Sequence, residues 1–447
     1  MLALNISTHF TCSRDTGLPT PYRRLGYWLI ALGILVAHHL VFIDPAQASN
    51  TNFSECIAKL KSKAQTAGIS TATVHQVLGK AKHIQRVIDL DRRQPEFTQT
   101  FANYFNKRVS ADRIKRGQAL LVKYRPLLEQ IQRKTGVPPH YLLAFWGLET
   151  NYGGYLGSMS TPNSLATLAC DARRNSYFTN ELLNALRIID AGDIPADRMF
   201  GSWAGAMGHM QFMPTTYLRY ALDGDGDGRR DLWRSIHDAL ASAANFLQQL
   251  GWVSDLHWGQ EVQLPLSFDY LLAGRNHSLS LVDWARHGVV TASGSALPPL
   301  EHKAALLVPA GHHGPAFLVS ENFDIIMRWN YSEFYALSVG HLADRIAGAP
   351  ALHRSPPADS LKITQKQVHQ LQLDLTTLGI DVGEVDGVFG PATRNALSHF
   401  QKNTQRIADG YLDTELLAAI RKAAASHSQT HSVTDQDTSI DNSTNRH

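Results

Sequence analysis

The sequence predicts a mainly α-helical protein of two folded units: a large helical domain with a small strand-bearing insertion and, after a linker, a C-terminal three-helix module. Three observations carry this prediction. Apolar residues recur at helical spacing from about residue 53 to 346, and the pattern loosens into turns and short apolar runs between 256 and 320. A stretch rich in Gly, Pro and polar residues at 347–362 then separates a second, shorter helical block. The chain has 447 residues, 44% of them hydrophobic, which suffices for two or three domains and a sizeable core. Its 42 Lys+Arg against 39 Asp+Glu leave a net charge of +3, too little for a partner chosen by charge such as nucleic acid. With 18% charged and 9% aromatic residues the composition is that of a globular chain.

Taken in order, Arg23 and Arg24 precede an apolar run from Leu25 to Ala37, which continues less cleanly to Ile43 and is followed by Ala46-Gln47-Ala48. Charged, apolar and small residues in that order make a secretory signal, so residues 1–48 are expected to direct export and to be cleaved after Ala48. Reading the apolar run on to Ile43 gives the alternative, an uncleaved anchor. Export removes Cys12 and leaves Cys56 and Cys170 in an oxidising space, either as a structural bridge or as two buried thiols; spacing alone does not choose.

From 53 to 346 one helical domain accounts for patterns such as Leu182, Leu183, Leu186 and Ile189, and for Ala239 to Leu250 ending at Gly251. Short apolar runs such as Ala304 to Val308 mark the strand-bearing insertion. The linker spans 347–362. In the module, 363–422, Val368, Leu371, Leu375 and Leu378 share one helix face. The turn Asp386-Gly387-Val388-Phe389-Gly390-Pro391-Ala392-Thr393-Arg394 leads into a second helix through Leu397 and Phe400, and Leu412 to Ile420 forms a third. The tail, 423–447, rich in Ser, Thr, Asn, Asp and His, is expected to be disordered.

Two stretches carry chemistry. Pro138 and Pro139 open a helix in which Tyr141 to Trp146 and Leu148 leave hardly any polar face, and Glu149-Thr150-Asn151-Tyr152-Gly153-Gly154 ends it. A carboxyl desolvated there would have the raised pKa of a general acid, although a Glu satisfying nearby amides or an Arg fits the local pattern as well. The second stretch, Gly201-Ser202-Trp203-Ala204-Gly205-Ala206-Met207-Gly208-His209-Met210-Gln211-Phe212-Met213-Pro214, combines close backbone approach with the donor and acceptor of Gln211. That surface suits a sugar, and equally a tight helix crossing.

Together these stretches resemble the catalytic domain of the membrane-bound lytic murein transglycosylase B family. Leu165-Ala166-Thr167-Leu168, Arg173-Arg174-Asn175-Ser176-Tyr177-Phe178 and Trp329-Asn330-Tyr331-Ser332 continue the match over roughly 53–346. The module, through its two-glycine turn, resembles the peptidoglycan-binding domain of cell-wall enzymes. The resemblance implies a lysozyme-like helical catalytic domain that cuts the β-1,4 bond between N-acetylmuramic acid and N-acetylglucosamine without water, leaving 1,6-anhydromuramoyl ends. It puts Glu149 in the place of the single catalytic acid/base. Ser202, Gln211, Asn330 and Tyr335 fall on cleft positions, and Tyr104 and Phe246 on sugar-stacking positions, with Phe246 standing where the family has a tyrosine. It implies a periplasmic monomer acting on peptidoglycan strands, with cell-wall synthesis or division proteins as candidate partners, the membrane entering only if residues 1–48 are retained. The readings set against it are a hydrolytic muramidase and a non-catalytic peptidoglycan-binding scaffold.

No catalytic cofactor is expected. Asp223-Gly224-Asp225-Gly226-Asp227-Gly228 places acidic residues at positions 1, 3 and 5 with Gly at 6, the front of an oxygen-ligated Ca²⁺ loop, whereas position 12 is Arg234 in place of Glu. The family's loop is longer, and by resemblance Asp238 supplies the closing carboxylate and Arg229 its backbone carbonyl. A structural Ca²⁺ at Asp223, Asp225, Asp227, Arg229 and Asp238 is the expectation, against a metal-free acidic turn. The 21 histidines show no metal-ligand spacing.

Overall fold

The computed structural model describes residues 45–92, 99–357, 361 and 363–440, without the side chains of 45–51 and 428–440. The expected signal, 1–48, lies outside the described residues except for its last four, which begin the helix Pro45–Thr66. Among the described residues no helix is long and apolar enough to cross a membrane.

Helices fill most of the chain from 53 to 346, and they are arranged around one of their number, Pro139–Thr150. Proline at its first turn presets the helical φ at no cost in hydrogen bonds, and every residue from Tyr141 to Leu148 is buried. A helix that is apolar all round is stable only if it is enclosed. The helices Glu333–Ile346, Ala111–Lys123, Arg125–Thr135 and Ile236–Gln249 pack against it, and Leu142, Leu143, Ala144 and Phe145 have no exposed surface.

Residues 259–319 carry five antiparallel strands, in spatial order Ser278–Ser280, Lys303–Leu307, Ala316–Val319, Gly259–Gln263 and Val290–Thr291. Leu306 pairs with Leu318, and Val262 with Ala316. Side chains alternate between two cores along these strands. Ala305, Leu307, Phe317 and Val319 join the main helical core, while Ala304, Leu306, Ala316 and Leu318 join a separate one built on Trp284 and Phe268. A sheet covered on both faces needs unbroken apolar strands, which is why Ala304–Val308 reads as a continuous run.

A disulfide joins Cys56, in the Pro45–Thr66 helix, to Cys170, which caps the Thr161–Ala169 helix, with 5.8 Å between the Cα atoms. This selects the bridge over the two buried thiols. It closes 114 residues of separation, a loop of the size for which loss of unfolded-state freedom stabilises by roughly 2–5 kcal/mol.

The C-terminal module has its own core, centred on Leu371, Leu375, Ala396, Leu397, Phe400 and Ile420. A capping box between Thr364 and Gln367 starts its first helix, Gln365–Thr377. Its two-glycine turn is tied down by Gln372, whose Oε1 accepts from the N–H of Gly387 at 2.8 Å while Nε2 donates to Asp386 Oδ1 at 3.0 Å. The tail departs from expectation. The third helix, Thr414–Ile440, continues through most of the stretch expected to be disordered. Lys422-Ala423-Ala424-Ala425 are strong helix formers that prolong an already nucleated helix, and Ala424 is buried. Residues 441–447 lie outside the described residues.

Candidate active site

Glu149 is the penultimate residue of the enclosed helix Pro139–Thr150. The helix stops because Asn151 and Tyr152 take left-handed conformations, φ 51° and 58°, a costly choice for non-glycine residues that turns the chain sharply behind the carboxylate. Glu149 keeps an intermediate exposure amid buried neighbours, so a ligand can reach it. Burial pushes its carboxyl above the ordinary value of 4.5, and a hydrogen bond from Tyr335 acts in the opposite direction. That bond runs from the Tyr335 hydroxyl to Glu149 Oε1 at 2.5 Å. Burial, and then the neighbouring carboxylate, push Tyr335 well above the usual tyrosine value, which keeps it a donor. Tyr335 lies in the first turn of the Glu333–Ile346 helix, where Ser332 caps its N–H.

The glycine-rich stretch forms the facing wall. Gly157, at φ 94°, lies so close to Gly201 that a Cβ would stand 2.1 Å from the Gly201 carbonyl, so only glycine permits this approach of 155–157 to 200–202. Gln211 is also left-handed, φ 49°, and its Nε2 donates to the carbonyls of Leu156 at 3.1 Å and Gly208 at 3.0 Å. Ser202 Oγ accepts from the Ala206 N–H at 3.0 Å. Both residues therefore hold the wall in shape, half-buried at its surface.

The two walls are latched together by residues to which the sequence reading gave no role. Thr150 Oγ1 donates to the His209 carbonyl at 2.9 Å and accepts from the Gly153 N–H at 3.0 Å. Trp146 Nε1 donates to His209 Nδ1 at 3.1 Å, which fixes the tautomer protonated on Nε2, and burial lowers the His209 pKa so that the ring stays neutral. The signal in the sequence is a polar His among small and apolar residues, directly before Met210-Gln211. Trp329 joins further parts of the site. It stacks on Phe145 with centroids 4.3 Å apart and meets Phe246 at 5.0 Å and Phe212 at 5.3 Å, joining the enclosed helix, the wall and the Ile236–Gln249 helix. Asn330, which follows it, is 9% exposed.

Tyr104 and Phe246, the expected sugar-stacking residues, are largely buried. Each is 7% exposed, with most of its ring packed against neighbouring aromatic residues. Phe246 is taken up by Trp329, Phe212 and Tyr220, and Tyr104 lies against Phe334 with the Arg108 guanidinium over its ring. Large rings beside an enclosed helix bury more apolar area as core than as platforms.

In the acidic loop, oxygens of Asp223, Asp225 and Asp227 converge within 4.8 Å, all three exposed. Asp238 is not among these three but is bonded to the backbone of the same loop. It is wholly buried and accepts from the backbone N–H groups of Gly224 and Asp225 on Oδ1 and of Asp231 on Oδ2, holding the base of the loop. Arg229 is exposed, its N–H donating to Asp227 Oδ1. Three hard, anionic oxygen donors suit a divalent cation such as Ca²⁺ and would repel one another without one.

The site is thus a carboxyl near the end of an enclosed helix, hydrogen-bonded by a tyrosine, with the same helix latched to a glycine-rich segment. The transglycosylase SLT domain model matches residues 52–344, and a peptidoglycan binding domain model matches 364–420; the chain belongs to the transglycosylase SLT family. Membrane-bound lytic murein transglycosylase B of Escherichia coli is 28% identical over 339 residues, 69% of this chain and 86% of that protein. SltB3 from Pseudomonas aeruginosa, solved in complex with NAG-anhNAM-pentapeptide, is 40% identical with a TM-score of 0.80, over 83% of this chain and 99% of that one. The Escherichia coli lytic transglycosylase Slt35, solved in complex with calcium, is 29% identical with a TM-score of 0.57, over 66% of this chain and 92% of that one.

The Tyr335 bond sets a signed expectation. In Tyr335→Phe the carboxylate form of Glu149 loses a donor, its pKa rises, and the acid persists to higher pH. The alkaline limb of the rate–pH profile should therefore move up. A limb that stays in place or moves down contradicts this.

Proposed function

We propose that this chain is an exported, periplasmic lytic transglycosylase of peptidoglycan, cleaving the β-1,4 bond between N-acetylmuramic acid and N-acetylglucosamine with Glu149 as its single acid/base. The observation that carries this reading is the carboxyl of Glu149 near the end of an enclosed helix, partly exposed and hydrogen-bonded by Tyr335, where burial favours its protonated form. Matches to transglycosylase and peptidoglycan binding domain models along one chain support the substrate class.

In the first step the protonated carboxyl gives its proton to the glycosidic oxygen as the bond to the muramoyl C1 breaks. With Oε1 held by Tyr335, Oε2 is the oxygen available to carry that proton. The Tyr335 donor stabilises the carboxylate that results, so it assists the transfer as charge develops. The carboxylate then takes the proton from the muramoyl C6 hydroxyl as that oxygen attacks C1, which regenerates the acid and closes the 1,6-anhydro ring. A glycosidase that uses water needs a second carboxylate as nucleophile or base. Here the attacking group belongs to the substrate, and the muramoyl N-acetyl group can shield the cationic centre, so one carboxyl completes both proton transfers. Ser202, Gln211 and Asn330 line the cleft as substrate contacts. The mechanism needs no metal or cofactor step. Asp223, Asp225 and Asp227 would hold a structural Ca²⁺ that stiffens the loop leading into the Ile236–Gln249 helix.

Glu149→Gln keeps the shape and loses the transferable proton. Its release of fragments from purified sacculi should fall at least about a hundredfold, with the fold unchanged by circular dichroism. Mass spectrometry of the wild-type digest should show anhydromuramoyl ends; reducing muramic ends would establish a hydrolase, and a fully active Glu149→Gln variant would remove Glu149 from the mechanism. For the loop, adding Ca²⁺ to chelator-treated protein should raise the melting temperature, and Asp225→Asn should abolish the increment. Identical melting curves with and without Ca²⁺ would leave a metal-free acidic turn.

A further inference from the structure

Among the described residues, the linker and the C-terminal module are both held against the catalytic domain by polar contacts. The linker is fixed by Glu261 of the Gly259–Gln263 strand, whose carboxylate accepts from the N–H groups of His353 at 2.7 Å and Arg354 at 2.8 Å. Asp409 of the module, its side chain 2% exposed, reaches the insertion: Oδ2 accepts from the His312 N–H at 2.9 Å and lies 2.6 Å from His312 Nδ1. Its other oxygen accepts from Gln401 Nε2 at 2.8 Å and from the Tyr411 N–H at 3.0 Å, so this carboxylate is bound within the module and across the interface at once. A buried acid satisfied in this way makes separation of the two surfaces costly.

A further contact points at the catalytic centre. Arg394 lies in the first turn of the module's Pro391–Asn403 helix, immediately after the two-glycine turn. Its Nη1 donates to Glu333 Oε2 at 3.0 Å, with both side chains largely shielded, and its guanidinium lies 5.3 Å from the centroid of Phe334. Phe334 also meets Phe101 at 5.3 Å and Tyr104 at 6.2 Å. Glu333, Phe334 and Tyr335 are the first three residues of one helix. The first turn of a helix lacks half of its backbone hydrogen bonds and depends on outside contacts for its position. Arg394 supplies two such contacts, and the next residue along that turn is the one bonded to Glu149.

We propose that Arg394 is a positioning residue for catalysis: through Glu333 and Phe334 the wall-binding module fixes the helix turn that holds Tyr335 against Glu149. The module thereby acts on bond cleavage itself, in addition to any hold it has on the wall. This inference rests on the reading of Glu149 as the acid. A displacement of Tyr335 by a fraction of an ångström weakens the bond that orients the acid, and errors of about 1 Å in such geometry cost on the order of a hundredfold in rate.

The test uses the full chain and a soluble, uncrosslinked glycan fragment of a few disaccharide–peptide units, so that retention on the wall plays no part. Wild type, Arg394→Ala, Arg394→Lys, Glu333→Gln and Arg406→Ala are compared. Arg406 serves as control because its ion pair with Glu415 at 2.9 Å is an exposed contact within the module. Arg394→Ala and Glu333→Gln should each lose roughly tenfold in kcat with KM changed less than about twofold, the pattern of a lost positioning contact. Their pH profiles should shift in the direction that loosening the Tyr335 bond gives, upward in the alkaline limb. Arg394→Lys retains the charge and should recover most of the rate, and Arg406→Ala should match wild type. Equal melting temperatures across the set exclude loss of fold. An Arg394→Ala kcat equal to wild type overturns the inference and leaves Glu149 untouched. A wild type that cleaves no faster than Glu149→Gln is instead a failure of the underlying reading.

Discussion

The structure depends on enclosing one helix. Pro139–Thr150 has no face to give to water, so surrounding helices must cover it, and that enclosure fixes both where the acid stands and how acidic it is. Glu149, one residue from the helix end, inherits the dry surroundings of Phe145 and Trp146 while remaining open to the cleft. The same burial that stabilises the fold by removing apolar area from water raises the free energy of the charged carboxylate. Stability and the raised carboxyl pKa are two results of one packing arrangement, with Tyr335 moderating the second.

Around that helix the site is assembled from segments distant in sequence. Thr150 and Trp146 latch His209, so the wall bearing Ser202 and Gln211 cannot shift without breaking buried hydrogen bonds. Trp329 ties the same wall to the helix bearing Phe246. Left-handed Asn151, Tyr152 and Gln211 show where the chain accepts unfavourable backbone geometry to complete the cleft. Arg394 extends this assembly into the second domain, where a module with its own core touches the helix turn beside the acid.

Periodicity made the enclosed helix, the insertion and the three-helix module legible, because burial on all sides, on both sheet faces and on one helix stripe leaves three distinct apolar patterns. Glu149 stood out only through the resemblance, since a structural Glu fits the end of an apolar helix as well, whereas Asp223, Asp225 and Asp227 were legible as an alternating acidic loop. Pairing of Cys56 with Cys170 was not, since a separation of 114 residues says nothing about proximity. The burial of Tyr104 and Phe246 was equally hidden: an aromatic residue beside a cleft looks the same in sequence whether its ring faces solvent or packs against Trp329 or Phe334. That the oxygens of Asp223 and Asp238 both accept from backbone amides of the loop was not legible either, since it follows from loop geometry rather than residue type. The helical tail was misread because its Ser and Thr content outweighed the Ala run that prolongs the helix.

The central claim is that enclosure of the Pro139–Thr150 helix makes Glu149 an acid of raised pKa. Its most direct test is ¹³C NMR titration of glutamate side-chain carboxyls, with the Glu149 signal identified by its loss in Glu149→Gln. The account predicts a carboxyl that titrates clearly above the ordinary value of 4.5. A Glu149 signal titrating at or below that value would contradict it.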